Sequence, residues 1–226
     1  MITVVNAQFF GGDKKLNKLV DQPFYDGVEY KLFTNRPEIV KNTNWEAIEL
    51  EVKDPRLSAR EIKTNIHKFF PKSEYWLWLD ANMKLTVDPN IFISQYLNVH
   101  DICLMPHPER THWFEEASFL LSRDQSLKEP LQKAVDKYSK EGYPSTTLYE
   151  TGVLLRRNTD RVNKFNSIWW QEIQETCIRD QISFPYCAWK AGLAVNTFPG
   201  TNSVNQLRYQ LKNYLPQWEE VIRDWN

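Results

Sequence analysis

Glycine is scarce in this sequence: 7 of its 226 residues are glycine, and none of them belongs to a G-x-G-x-x-G or G-x-x-x-x-G-K-[ST] motif. The two commonest glycine-rich loops that hold phosphate groups are therefore absent. Cysteine is equally scarce, with three residues at long spacings and no C-x-x-C pair. This count argues against a cysteine-based zinc site and predicts buried free thiols in a reducing compartment.

Neither sign of charge dominates, because the chain has 28 Lys and Arg residues and 29 Asp and Glu residues, which give a net charge of −1. No general basic surface exists to hold a nucleic-acid backbone. The longest apolar runs fall far short of the roughly 18 residues of a membrane span. The first ten residues, MITVVNAQFF, lack the basic region of a signal peptide and predict a strand. We therefore expect a cytoplasmic protein without a nucleic-acid partner or a membrane span.

Aromatic residues, in contrast, are abundant and make up 14% of the chain. Such side chains fill protein cores, and they also stack against sugars and bases. A non-catalytic carbohydrate-binding module would explain them too, but such modules are usually all-β. Here strand-like and helix-like segments alternate, which argues against that alternative.

This alternation runs along the whole chain, without repeats and without a Ser/Gly-rich linker. The compact run YWLWLD is typical of a central strand, and Asp88 followed by Pro89 predicts the start of a helix. Residues 13–20 and 204–225 also have helical patterns. The pattern predicts an α/β protein with three layers, a mainly parallel sheet flanked by helices, in one domain over residues 1–226. Ligands bind such sheets at the carboxyl ends of strands, so polar residues that follow strands are the candidates.

Asp80 and Asn82 are the first such candidates, because they come directly after the YWLWL strand. Mg²⁺ and Mn²⁺ prefer oxygen ligands and often retain substrate phosphates as further partners. The sequence therefore suggests a cation site at this strand end. The alternative is an ordinary turn, since Asp and Asn are also common turn residues.

Two further candidates lie in the second half of the chain. Gly152 falls in the predicted strand ETGVLLR, where a glycine can mark close approach of the backbone to a ligand. Asp180 and Gln181 open a predicted helix, whose dipole favours an ionised carboxylate at that position. The alternative for Asp180 is a helix cap without a chemical role.

Positive charges and one histidine form the remaining candidates. Arg60 and Lys63 lie three residues apart on one helix face and suit a diphosphate, or else form a solvated basic face. His107 and Arg110 follow the strand DICLMP, and Arg110 either binds an anion or pairs with Glu115.

Several stretches together resemble GT-A glycosyltransferases. A strand that ends in D-x-N, a later T-G-V-L-L strand, a tryptophan-rich helix and a D-Q pair that opens a helix occur in the order seen in those enzymes. More specifically, the chain is similar to the glycosyltransferase-like domain of plant mucilage-related putative hexosyltransferases and of its microbial and viral relatives, including capsid glycosyltransferases of chlorella viruses. The segments that carry this likeness are YKLFTN, the run from Arg60 to Pro71, YWLWLDANMKL, HPERTHWFEEA and RDQISFPYCAWKAGL.

The resemblance implies a GT-A fold and transfer of a sugar from a UDP-sugar to a glycan or glycoprotein, in the host cytoplasm if the chain is viral. It implies that Asp80 and Asn82 bind Mn²⁺ or Mg²⁺, and that Asp180 and Gln181 lie at the reaction centre. Phe10 matches a tyrosine that stacks on uracil. The full donor-binding set, which includes the basic residues argued above, is Asn6, Ala7, Phe10, Asn35, Arg60, Lys63, Asp80, Ala81 and Gly152. On the acceptor side the resemblance implies His107, Arg110 and Glu115.

The sequence departs from the family pattern at two metal ligands. Asn82 replaces the second acid of the D-x-D motif, and no histidine follows His112, although glycogenin-like relatives use a histidine near the C-terminus. Asp180 either stabilises an oxocarbenium-like sugar or accepts the acceptor proton, and these roles imply opposite stereochemical outcomes. The D-Q resemblance favours retention.

Two other functions compete with glycosyl transfer. A sugar nucleotidyltransferase shares the nucleotide-binding fold but needs a glycine-rich N-terminal loop, of which only Gly11 and Gly12 are present. A metal-dependent nuclease would use the E-x-K element at Glu51 and Lys53, with Asp26 upstream. The balanced charge of the chain and the separate Asp80 strand argue against the nuclease.

Overall fold

The computed structural model describes residues 1–10, 19–81, 83–85, 87–107, 109–144 and 147–198. A seven-stranded sheet with the strand order β3-β2-β1-β4-β6-β5-β7 forms its centre. The strands are β1 (Ile2–Gln8), β2 (Val28–Thr34), β3 (Glu46–Glu49), β4 (Tyr75–Leu79), β5 (Ile102–Pro106), β6 (Tyr149–Arg157) and β7 (Val195–Thr197).

Six of the seven strands run in one direction, and β6 is the exception. β1 pairs in parallel with β2 and β4, β2 with β3, and β5 with β7. β6 lies antiparallel between β4 and β5. The amino-terminal half of β6 therefore lies at the same sheet edge as the carboxyl ends of its neighbours.

Helices cover both faces of the sheet, and the sheet divides the apolar core into two clusters. The helices are α1 (Pro55–Thr64), α2 (Ile66–Phe69), α3 (Pro89–Tyr96), α4 (Trp113–Arg123), α5 (Lys128–Lys140), α6 (Asp160–Glu175) and α7 (Asp180–Lys190). One apolar cluster joins one sheet face to residues of α1, α4, α5, α6 and α7, and the other joins the opposite face to α3 and the loops around it.

The α/β fold class and the mainly parallel sheet predicted from the sequence are confirmed. Asp88 accepts a hydrogen bond from Asn90 N–H and caps α3 as predicted, while Pro89 occupies the first turn. Gly192 adopts φ +64° directly after α7, which suits a helix end where residues with a Cβ are strained. The predicted helix over 204–225 and most of the one over 13–20 lie outside the described residues.

Within the described part of the chain, no helix combines the length and the apolar character that crossing a bilayer requires.

Candidate active site

Asp80 occupies the carboxyl end of β4, at the centre of the sheet edge. Its backbone N–H donates to Gly152 O at 2.8 Å, and its carbonyl accepts from Met83 N–H at 2.9 Å, so the predicted turn is present. Its Oδ1 accepts the indole N–H of Trp78 at 2.7 Å, while 41% of its side chain remains exposed. Asp80 thus presents a fixed but accessible carboxylate.

Gly152 lies against this carboxylate. A Cβ added at position 152 would stand 3.0 Å from Asp80 Oδ2 and 3.5 Å from its Cγ. Only glycine leaves Asp80 in its present position without a shift. The predicted close approach at Gly152 is therefore to the carboxylate itself.

Asp180 lies in the interior beside Asp80, and 3% of its surface is exposed. Its Oδ2 accepts hydrogen bonds from Lys63 Nζ at 2.5 Å and from Thr151 Oγ1 at 2.8 Å. Its Oδ1 lies 3.3 Å from Arg60 Nε. Burial alone would raise the pKa of Asp180, but the charges of Arg60 and Lys63 hold that pKa well below its usual range. Asp180 is therefore ionised at neutral pH and is a weak base.

Two alternatives offered by the sequence are wrong here. Asp180 does not cap α7: the residue at the N-cap is Arg179, and the Asp180 carboxylate bonds Lys63 and Thr151 instead. Lys63 does not belong to a solvated basic face, because its side chain is 1% exposed. Lys63 Nζ lies between the two acids, 2.5 Å from Asp180 and 3.9 Å from Asp80.

Thr151 and Gly152, which contact the two acids, lie at an irregularity in the pairing of β6 with β5. Leu104 of β5 faces Leu154, whereas the next residue, Met105, faces Glu150, so the register shifts across this part of β6. Such bulges commonly re-aim side chains next to functional sites. As a result, two consecutive residues contact different acids. The Thr151 hydroxyl donates to Asp180, and the lack of a Cβ at Gly152 accommodates the Asp80 carboxylate.

The predicted uracil-seating residues gather at the carboxyl ends of β1 and β2. The Asn35 side chain holds the Phe10 backbone from both sides, accepting from Phe10 N at 2.9 Å and donating to Phe10 O at 2.9 Å. Asn6 is 2% exposed, and its Oδ1 is a buried acceptor without a partner among the described residues. Ala7 is half-buried beside Phe33 in the register of β1 and β2. Asn35 thus fixes the Phe10 backbone, and no described residue bonds the buried acceptor of Asn6.

The predicted acceptor-side residues form a separate cluster after β5. Arg110 Nε donates to the buried Glu116 Oε2 at 2.6 Å, and Arg110 Nη1 donates to Glu109 at 3.1 Å. The pairing with Glu115 is wrong, because Glu115 Oε2 instead accepts the backbone N–H groups of Thr111 and His112 before α4.

His107 belongs to the same cluster. It is 7% exposed, and its Nδ1 accepts the backbone N–H groups of Glu109 and Arg110 at 3.2 and 3.0 Å. Its Nε2 lies 3.6 Å from Glu116 Oε2 and 3.4 Å from Arg110 Nη2. The two hydrogen bonds to Nδ1 hold the His107 ring in place.

The other predicted site residues take peripheral positions. Gln181 follows Asp180 on α7 and donates to Tyr149 O at 3.5 Å, near the start of β6. Ala81 is exposed in the turn after Asp80. Asn82, the predicted second metal ligand, lies outside the described residues.

The donor groups around Asp80 fit a divalent cation that a substrate helps to hold. Mg²⁺ commonly binds one or two carboxylates together with substrate phosphates. Asp80 supplies one exposed carboxylate, and the lack of a Cβ at Gly152 lets this carboxylate keep its position. Among the described residues, no group of three or more His, Cys, Asp or Glu side chains is placed to hold a metal unaided. The arrangement therefore suits an ion bound jointly by Asp80 and a diphosphate.

Two residues of this cluster have no sequence signal that marks them as part of the site. Trp78 belongs to an apolar strand, and nothing in its neighbours indicates that its N–H points to Asp80. Thr151 is notable in the sequence only as the residue before Gly152. Its hydroxyl reaches Asp180 through the irregularity of β6, which no local pattern reveals.

Comparison with known proteins identifies related chains. The family model described as TOD1/MUCI70, glycosyltransferase-like domain, matches residues 39–208. Two Arabidopsis thaliana proteins are each 27% identical: "Alkaline ceramidase TOD1", over 78% of this chain and 40% of that protein, and "Probable hexosyltransferase MUCI70", over 60% of this chain and 25% of that protein. The chain thus spans less than half the length of these curated relatives.

Among solved structures, a glycosyltransferase involved in the glycosylation of the major capsid of PBCV-1 is similar with a TM-score of 0.46 and 14% sequence identity. The match covers 87% of this chain and 80% of that one.

Proposed function

Because the chain belongs to the TOD1/MUCI70 glycosyltransferase-like domain family, we propose that it transfers a sugar from a UDP-sugar donor to a glycan or glycoprotein acceptor. The observation that supports this function is the charge cluster at the sheet edge. The accessible carboxylate of Asp80 lies 3.9 Å from Lys63, which is also bonded to the buried carboxylate of Asp180. The cluster combines positive charge for a diphosphate with negative charge for a sugar cation.

On the donor side, the proposed cofactor is Mn²⁺ or Mg²⁺, held by Asp80 and the donor phosphates. Such an ion stabilises the negative charge that develops on the departing diphosphate. Arg60 contributes a cation of the protein itself, since one end of its guanidinium group lies at Asp180 and its side chain is 20% exposed. Fixed charges that need no rearrangement during the reaction commonly supply the largest catalytic term.

For the sugar itself, we assign the stabilising role to Asp180. A carboxylate whose pKa lies well below its usual range is a poor proton acceptor, so the general-base role is disfavoured. A negative charge at this position, in contrast, stabilises an oxocarbenium-like sugar. This argument favours retention of configuration, in agreement with the D-Q resemblance.

We expect uridine nucleotides to bind more tightly than guanosine nucleotides. Phe10 offers one stacking face, and Asn35 holds the Phe10 backbone through two hydrogen bonds. Stacking on an aromatic side chain contributes about 1–3 kcal/mol per base. Competition binding measures the preference, and Phe10→Ala should weaken UDP by about tenfold. Equal affinities of GDP and UDP would show that this strand end does not select the base.

We expect Gly152→Ala to lower the affinity for UDP in the presence of Mn²⁺ by about tenfold, the scale seen when a residue that supports a metal ligand is changed. The new Cβ would meet Asp80 Oδ2 at 3.0 Å and displace it. Isothermal titration calorimetry with Mn²⁺ checks this result.

The matched control for this substitution is Gly142→Ala, in the turn after α5. Gly142 has φ +70° and nothing within 4 Å of its added Cβ, so the change strains the backbone without touching Asp80. It should reduce stability and leave UDP affinity unchanged. If both variants bind UDP like the wild type, Gly152 has no role in shaping the site.

The acceptor is proposed to approach past His107, Arg110 and Glu115. Buried Glu116 holds the Arg110 side chain at 2.6 Å, and the Arg110 guanidinium also lies over the Phe119 ring, 4.1 Å from its centroid. These contacts make a rigid, partly charged wall after β5, at the same sheet edge as Asp80. A rigid polar wall suits the hydroxyl groups of a glycan.

A thermal-shift panel tests the proposed donor class first. UDP, GDP, CMP and several UDP-sugars are each added with Mn²⁺ or with EDTA, and the midpoint of unfolding is recorded. Ligands that bind only the folded state raise this midpoint. We expect the largest rise with UDP or a UDP-sugar plus Mn²⁺. A panel without any nucleotide effect would contradict the proposal.

A further inference from the structure

The indole of Trp78 lies between the exposed and the buried parts of the charge cluster. Trp78 is 2% exposed on β4, and its Nε1–H donates to Asp80 Oδ1 at 2.7 Å. Its ring is also the aromatic neighbour of Lys63, whose Nζ lies 5.5 Å from the ring centroid. One side chain therefore contacts Asp80 by its edge and Lys63 by its face.

The distances indicate what this indole prevents. Lys63 Nζ is already 3.9 Å from Asp80 Oδ1, the same oxygen that accepts the indole N–H. Hydrogen bonds between ammonium and carboxylate groups are about twice as strong as neutral ones. Without the indole N–H on Oδ1, the attraction between the two charges would draw the Asp80 carboxylate inward to Lys63.

We propose that Trp78 is a positioning residue for the donor: its N–H holds Asp80 Oδ1, which keeps the carboxylate outward for a cation–diphosphate complex and leaves Lys63 to Asp180. This inference rests on the proposed function. It adds a residue whose action on the donor passes entirely through Asp80.

Trp78→Phe tests the role, because phenylalanine keeps an aromatic ring and removes the N–H. We expect the affinity for UDP with Mg²⁺ to fall by about tenfold, since partners of metal ligands typically contribute 10–100-fold. The affinity for UDP in EDTA should stay unchanged. A loss confined to the cation-dependent affinity distinguishes positioning of Asp80 from general damage to the fold.

Trp76→Phe is the matched control on the same strand. Trp76 is fully buried, and its indole N–H donates to Phe70 O at 3.0 Å. This variant therefore also replaces a buried indole by a phenyl ring and loses one hydrogen bond, but away from Asp80. It should lose stability and keep its cation-dependent UDP affinity. An equal drop in both variants would assign the effect to packing and overturn the proposal.

A second measurement on the wild-type chain covers the case in which Trp78→Phe does not fold. In an indole ¹H–¹⁵N spectrum, the Trp78 resonance is assigned by its response to Asp80→Asn, and the Trp76 resonance by its absence in Trp76→Phe. Addition of UDP with diamagnetic Mg²⁺ should shift the Trp78 signal and leave the Trp76 signal in place.

The outcomes separate this inference from the proposed function. If the wild type binds UDP with Mg²⁺ but neither the Trp78 signal nor the Trp78→Phe affinity changes, the positioning role is wrong and the donor assignment stands. If the folded wild type shows no cation-dependent UDP binding, both are overturned.

Discussion

Asp180→Asn should lower the rate of sugar transfer by roughly 10²–10⁴, the usual contribution of one positioned charged group, and leave UDP affinity within a few-fold. Asparagine keeps the shape of the side chain and removes its charge. Asp180 lies with Lys63 and Thr151 in the interior, whereas the proposed ligand of the cation that holds the diphosphate is the exposed Asp80. Sugar transfer, or slow donor hydrolysis without an acceptor, is measured together with UDP binding on the same preparation.

A control is needed because breaking a buried ion pair costs about 3–5 kcal/mol in stability by itself. Glu172→Gln breaks a partly buried pair: Glu172 is 3% exposed and accepts from Lys137 Nζ at 2.5 Å, between α6 and α5. Both variants should unfold at lower temperature, but only Asp180→Asn should lose turnover. Near-wild-type turnover of folded Asp180→Asn would leave that residue with a structural role alone.

Asp80→Asn should remove the cation-dependent part of UDP affinity, a loss of about 100-fold with Mn²⁺ present. The neutral side chain still offers an oxygen to the Trp78 N–H but no longer attracts a cation. In EDTA the variant and the wild type should bind UDP equally weakly. Calorimetry in Mn²⁺ and in EDTA gives both affinities.

Asp124→Asn provides the matched change of one charge. Asp124 follows α4, and its Oδ1 accepts hydrogen bonds from Ser126, away from the sheet edge. UDP affinity in this control should equal that of the wild type. Equal Mn²⁺ dependence in wild type and Asp80→Asn would rule out Asp80 as the cation ligand.

Local signals predicted most of the fold. The alternating pattern of VEYKLFT corresponds to β2 (Val28–Thr34), and the Asp88–Pro89 start corresponds to α3 (Pro89–Tyr96). Both predictions depend on residues that are close in sequence. The alternation of apolar and polar residues predicts the strand, and the N-cap residue predicts the helix start. The direction of β6 has no such local signal, since it depends on partners about 40–80 residues away along the chain.

The site was predicted in part for the same reason. Asp80 and Asp180 follow recognisable element boundaries, and the sheet brings both to one edge near Lys63. The burial of Lys63 was not predictable, because a lysine on an amphipathic helix ordinarily faces solvent. The contacts of Thr151 and Trp78 depend on a register shift and on the orientation of one side chain, which sequence patterns do not specify.

The central claim is transfer from a UDP-sugar, and release of UDP from a panel of UDP-sugars with Mn²⁺ tests it most directly. No acceptor is required, because water accepts the sugar slowly in its place. We predict that the wild type releases UDP from at least one donor, that EDTA stops the release, and that Asp180→Asn slows it. Intact donors after prolonged incubation with folded wild-type protein, which shows no Mn²⁺-dependent UDP binding either, would contradict the account.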